Sequence, residues 1–144
     1  MRSIQVTGPT DAPRSAVWAV LADFPNISTW NGGVKASHDT GEGVVGLGAK
    51  RHCDLSPVGA LEETITGWQP DEQLVVRIDS AAKLPISSGE ATFSLGDGTT
   101  TIDYSYQPEG LIGKFMAPLL DRQLAKGFKG FLADLEKAAQ QQSG

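Results

Sequence analysis

From Leu111 to Gln142 the chain carries one continuous amphipathic pattern, and no other stretch restricts the possible folds so strongly. Apolar residues recur at Ile112, Met116, Leu120, Leu124, Phe128, Phe131 and Leu135, a spacing that draws a single stripe along a helix. Lys114, Arg122, Lys126, Lys129 and Glu136 fall off the stripe, on the side expected to face water. A helix of this length with one apolar face needs a second layer to cover that face. Gly127 lies inside it and costs about 1 kcal/mol of helix propensity relative to Ala. A glycine there marks either close packing or open space.

The rest of the chain reads mostly as strand. Residues 3–8 alternate, with Ile4 and Val6 on one face. Asp11 as an N-cap and Pro13 in the first turn predict a helix whose apolar face is Val17, Trp18, Leu21 and Phe24, ended by Pro25. Residues 24–31 predict a further short helical turn, and Gly32 and Gly33 lead into a weak strand, Val34–Asp39. Strands are then expected at Lys50–Leu55, Leu61–Trp68, Leu74–Asp79, Glu90–Leu95 and Thr99–Tyr106. The turn Gln69-Pro70-Asp71-Glu72 and the hairpin signal Asp97-Gly98 punctuate them. Short connections make successive strands antiparallel neighbours. The loops Ser56–Gly59 and Ser80–Ser88 then fall at one end of the sheet, and Thr40–Gly46, Gln69–Glu72 and Asp97–Gly98 at the other. The outcome is an α+β two-layer domain in which one helix cannot cover the whole inner face of the sheet, so a cavity is expected between them.

Size and charge limit the function. At 144 residues the chain is one domain, residues 1–144, able to bury roughly 68–70% of its unfolded surface. Twelve Lys and Arg against 17 Asp and Glu give a net charge of −5, which argues against a nucleic-acid partner. The basic residues of the last helix are interleaved with Asp121, Asp134 and Glu136 and read as a solvated face. A single cysteine, Cys53, excludes an internal disulfide and any cysteine-based zinc site. With no signal-peptide run and no stretch of membrane-spanning length, a cytoplasmic protein without integral membrane association is expected.

Several motifs reduce to structural explanations. Gly41-Glu42-Gly43-Val44-Val45-Gly46 spells G-x-G-x-x-G, but a strand follows it where a dinucleotide site needs a helix. His38 and His52 lack metal-ligand spacing, and alternation puts His52 on the outer face with Lys50 and Asp54, so no metal site is expected. No serine sits in a nucleophile-elbow context. Cys53 alternates with Arg51 and Leu55 towards the inside, where a cysteine is usually a small inert hydrophobe. Trp68 reads as surface packing opposite Glu63, and Trp18 and Trp30 as helix-to-sheet core.

Arg51 and Glu63 are the distinctive pair. If Cys53, Leu55, Leu61 and Ile65 face inward, so do these two charges, on adjacent strands at comparable distances from the Ser56–Gly59 loop. On an apolar surface they need each other, or a polar ligand group, to offset desolvation. A structural ion pair and a ligand contact both fit. Ile102, Tyr104 and Tyr106 share the opposite face from Asp103, which makes both tyrosines cavity candidates with a hydroxyl to offer.

The order strand, two short helices, six strands and long helix resembles the START-like helix-grip superfamily, within it the polyketide cyclase/dehydrase group. The residues that carry the resemblance are Pro13–Trp30 with its "FPNISTW", then Glu63–Pro70, then the ending from Gly110 to Ala138. It implies a curved antiparallel sheet of about seven strands wrapped around the C-terminal helix. It also implies a hydrophobic or aromatic small molecule, lipid or polyketide-like, held beneath that helix by a carrier or sensor. In the similar plant abscisic-acid receptors an acid in a comparable strand context lies at the polar end of the pocket, which points to Glu63. The lid side would be Phe115, Leu119, Gln123, Gly127 and Phe131. The sheet side would be Arg51, Cys53, Glu63, Ile65, Tyr104 and Tyr106. The two loops at that end, Ser56–Gly59 and Ser80–Ser88, would border the mouth. No cofactor is implied. The alternatives are a cyclase, aromatase or dehydratase using Arg51 and Glu63 catalytically, and a co-chaperone-like interaction module with a filled interior.

Overall fold

The alternation that opens the chain forms β1 (Arg2–Pro9), with Val6 buried and its neighbours turned outward. The structure, a computed structural model, describes residues 1–56, 59–80 and 86–143. After β1 come α1 (Arg14–Ala22) and a 3-10 helix (Phe24–Thr29). The strands that follow are β2 (Ala36–Asp39), β3 (Lys50–Asp54), β4 (Ala60–Gln69), β5 (Gln73–Ser80), β6 (Ile86–Leu95) and β7 (Thr99–Pro108). The long helix α2 (Gly110–Ser143) ends the chain. The strands make one antiparallel sheet in the order β1-β7-β6-β5-β4-β3-β2, so only the connection through α1 crosses the sheet. This is the expected α+β helix-grip architecture. β6 starts earlier than its sequence suggests and takes up part of the Ser80–Ser88 loop; residues 81–85 lie outside the described residues.

Three local expectations are corrected. Asp11 does not cap α1: the cap position is Pro13, in an extended conformation with no side-chain bond. Instead, Glu136 of α2 accepts the backbone N–H groups of Asp11 and Ala12, at 2.8 and 3.3 Å, and bonds the Thr10 hydroxyl. Trp68 does not sit on the outer surface. A bulge between Ile65 and Gly67 inserts one extra residue, which inverts the alternation beyond it. Trp68 therefore points inward, edge-on to Trp18 at 4.9 Å between ring centroids. Gly67 is needed at the bulge, since a Cβ there would lie 2.7 Å from Cγ2 of Val75.

The apolar stripe of α2 starts later than expected. Leu120 and Leu135 are buried, and Met116, Leu124, Phe128 and Phe131 pack against the core from the helix. Ile112 is 71% exposed. In the first turns the buried positions are Gly113 and Ala117, small residues that bring the helix close to its support and turn the bulky side chains out. The basic face of α2 is exposed to solvent, as expected, while the acids interleaved with it are engaged elsewhere. Asp121 bonds Arg2, Asp134 accepts the Gly32 N–H at 2.9 Å, and Glu136 holds residues 10–12. Close backbone approach of α2 is to α1, β1 and β7. The inner face of β3, β4 and β5 is left without that cover, and there the interior opens.

Candidate functional site: an apolar cavity with a buried ion pair

A cavity of about 400 Å³ lies between α2 and the uncovered part of the sheet. Leu61, Val76, Ile78 and Phe93 line it from the strands, Ile27 and Val34 from the segment after α1, and Leu120, Leu124, Phe128 and Phe131 from α2. Alternation explains the strand contribution: Leu61 and Glu63 share a face of β4, as Arg51 and Cys53 do of β3. Arg51, Cys53, Glu63 and Tyr104 add polar groups from the sheet, Asn31 from the segment after α1 and Gln123 from α2.

Arg51 and Glu63 are direct cross-strand partners, each only 6% exposed. Nε of Arg51 donates to Oε1 of Glu63 at 2.5 Å, and Nη1 donates to the carbonyl of Phe24 at 2.8 Å. The guanidinium carbon lies 3.7 Å from the centroid of the Phe24 ring, a cation–π contact. Cys53 points its thiol at the same Oε1 from 3.7 Å. Burial, then the charge of Glu63, pushes that thiol up to about 12, so it stays protonated and is no nucleophile near neutral pH. Among the described residues, no hydrogen bond reaches Nη2 of Arg51, Oε2 of Glu63 or the hydroxyl of Tyr104. The pair is thus fixed on one side by protein and open on the cavity side.

Tyr104 is buried, its ring 5.2 Å from Phe128 and 5.6 Å from Tyr106. Gly89 makes room for it, since a Cβ there would lie 2.5 Å from the phenol oxygen. Burial, followed by the proximity of Tyr106 and Glu63, raises the Tyr104 phenol to about 12. It is a neutral hydrogen-bonding group.

Of the residues expected on the sheet side, Arg51, Cys53, Glu63 and Tyr104 line the cavity, while Ile65 and Tyr106 do not. Ile65 is fully buried in the core. The Tyr106 hydroxyl donates to Oδ1 of Asp121 at 2.5 Å, and the other carboxylate oxygen takes Arg2, so it is consumed in tying β7 and β1 to α2. On the helix side Gln123, Gly127 and Phe131 line the cavity. Gln123 and Gly127 are exposed at its rim, and a Cβ on Gly127 would meet nothing within 4 Å. Phe131 stacks edge-on against Trp30 at 5.1 Å. Phe115 and Leu119 are corrected: at 88% and 48% exposed they face away, for the reason given for the first turns of α2. The expected mouth loops lie in part outside the described residues, at 57–58 and 81–85, but Leu55 and Ile86 beside them do line the cavity.

The other motifs have structural occupations. Asp39 accepts the N–H groups of Gly41 and Gly43 at 2.8 and 2.6 Å, which closes the glycine-rich turn with a carboxylate where a nucleotide would need room for phosphate. His52 bonds Glu62 on the outer face, with the His38 ring 5.1 Å away. Most of the apolar wall lies outside the expected site residues, although the alternation that places Glu63 inward also marks Leu61, and the pattern of β5 marks Val76 and Ile78.

The fold is shared by solved structures of low sequence identity. A protein from Thermus thermophilus is 16% identical with a TM-score of 0.75, over 99% of this chain and all of that one. A START superfamily protein from Mycobacterium smegmatis is 14% identical, TM-score 0.72, over 96% and 97% of the two chains. A point mutant of Thalictrum flavum norcoclaurine synthase, in complex with a transition-state analogue, is 14% identical, TM-score 0.71, over 99% and 96%. No curated protein sequence matches the chain. The profile of the family described as polyketide cyclase / dehydrase and lipid transport, however, matches residues 1–140. With nearly its whole length matched and the helix-grip architecture in place, the chain belongs to that family.

Proposed function

We propose that this protein binds a hydrophobic or aromatic small molecule, lipid or polyketide-like, between its sheet and α2, as a carrier or sensor. The cavity carries the reading: about 400 Å³, walled by aliphatic and aromatic side chains, with a few convergent polar groups, as small-molecule sites have. Arg51, Glu63 and Tyr104 would orient the guest, Cys53 would act as inert wall, and Gln123, Gly127 and Phe131 would border its entry. No cofactor enters this reading. Native mass spectrometry of protein purified from its own host tests it, since a retained ligand adds mass that denaturation removes. Protein that carries no added mass and binds no apolar fluorescent probe, such as N-phenyl-1-naphthylamine, would defeat it.

A second reading, a cyclase, aromatase or dehydratase, draws on the open Nη2, Oε2 and Tyr104 hydroxyl converging on one apolar space. Nη2 could polarise a carbonyl while Glu63 moves a proton. The similar fold of norcoclaurine synthase shows that this architecture can house an enzyme. Under this reading Glu63→Gln abolishes turnover of a bound polyketide while leaving its affinity measurable; a carrier shows no turnover in either form. The interaction-module reading required a filled interior, and the cavity counts against it.

A further inference from the structure

We propose that the cavity selects electrically neutral ligands bearing a hydroxyl or carbonyl, and rejects carboxylates such as free fatty acids. This rests on the binding reading above and adds the class of molecule bound. Arg51 and Glu63 form a pair of zero net charge, both nearly excluded from water. A guanidinium grips a carboxylate through two N–H groups along one edge. Each edge of Arg51 includes Nη2 and one further nitrogen. Nε is already given to Glu63 and Nη1 to the Phe24 carbonyl, with the Phe24 ring stacked on the face. Glu63 closes the Nε edge and Phe24 takes one of the two N–H groups of Nη1, so an entering carboxylate would meet a guanidinium already paired with one anion. It would also bring its charge beside Oε2 of Glu63 into an apolar space, where an uncompensated charge is costly. Cys53 adds no compensating charge, its thiol being protonated, and Tyr104 is likewise neutral.

A neutral hydroxyl meets the opposite situation. It can donate to Oε2 of Glu63 and accept from Nη2 of Arg51 or from the Tyr104 phenol. A ketone or ester oxygen can accept from the same donors. In either case the groups left open by the protein are satisfied and the charge balance is unchanged.

The test compares 2-naphthol, 2-naphthoate and methyl 2-naphthoate as competitors of N-phenyl-1-naphthylamine at pH 7.5. Naphthol and the methyl ester should displace the probe at concentrations at least roughly tenfold lower than naphthoate. The ester controls for shape, because it keeps the acid's skeleton without its charge. In Glu63→Gln, with the probe still bound as a check of folding, the preference should shift towards naphthoate by roughly tenfold or more, since Arg51 is then unbalanced. If the variant does not fold, the acid–ester comparison on the native protein decides alone. Equal displacement by acid and ester, a preference for naphthoate, or displacement by none of the three overturns the selectivity while leaving a binding protein. Failure of the probe itself to bind overturns the binding reading and this inference with it.

Discussion

Gly127 reports on the cavity's edge at the scale of one atom. A Cβ placed there would meet nothing within 4 Å, and the residue sits at the rim on an exposed turn of α2. Gly127→Ala is therefore expected to raise stability by about 1 kcal/mol through helix propensity alone, read as a higher urea midpoint. Gly127→Trp should keep the fold and weaken probe binding, because the larger side chain closes the opening. A block of the fold by Trp, or probe binding unchanged by it, would contradict the position assigned to Gly127. The Arg51–Glu63 pair makes the second prediction at this scale. Arg51→Met leaves a carboxylate buried without its partner and should cost about 3–5 kcal/mol in urea unfolding. The double variant Arg51→Met/Glu63→Leu should recover most of that loss, because no charge then remains to be compensated. A double variant as unstable as the single one would mean that the pair's own hydrogen bonds, rather than charge compensation, hold β3 to β4. Period-two alternation placed Arg51, Cys53 and Glu63 on one face, since nothing interrupts β3 or the first half of β4. It had no means of showing that Tyr106 would be taken by Asp121, because that contact depends on where α2 lies.

Elements were legible where periodicity was regular and opaque where a local exception reset it. All seven strands and both α-helices follow from alternation, helical spacing and turn residues. The bulge in β4 is the exception that moved Trp68 from the surface to the core: one extra residue reverses every side chain beyond it. Its glycine gives a direct check. Gly67→Ala is expected to lower the urea midpoint, because the added methyl would lie 2.7 Å from Cγ2 of Val75 and a neighbouring strand would have to yield. The first turns of α2 are the other exception. A reading that weighs side chains by hydrophobicity assigns Ile112, Phe115 and Leu119 to the interior and overlooks Gly113 and Ala117, whose smallness lets the helix press against its support. Phe115→Ser should then change stability by no more than about 0.5 kcal/mol, as for exposed positions generally. Leu120→Ala, one turn on and 5% exposed, should cost about 2–5 kcal/mol. Comparable losses for the two variants in parallel urea titrations would place Phe115 back inside the protein.

At the scale of the molecule, α2 is tied down at two points, on either side of the residues that line the cavity from Gln123 to Phe131. Asp121 holds the helix to β1 and β7 through Arg2 and Tyr106. Further along, Glu136 holds it to the segment leading into α1. Both clips are carboxylates, so the attachment is sensitive to acid in a direction that can be stated. The hydrogen bond from Arg2 is the main cause keeping Asp121 below the usual carboxylate range, with Tyr106 adding to it. Burial, the largest single influence on Glu136, works to raise it, but hydrogen bonds from Thr10, the backbone of Asp11, Gln140 and the backbone of Ala12 together bring it below its ordinary value. A carboxylate depressed in the folded state contributes stability that is complete above its unfolded pKa, about 4. That contribution is lost as pH falls through the lower folded value. The native protein should therefore hold a constant contribution from these clips at neutral pH and lose it progressively below about pH 4. Asp121→Asn, which cannot ionise, should be less stable than the native protein at neutral pH and should lose less on acidification. Urea midpoints of the two proteins, measured from neutral pH down to the acid limit of folding, should then converge. Parallel curves over that range would show that ionisation of Asp121 does not help to hold α2 in place, and the cavity's stability would have to come from apolar packing alone.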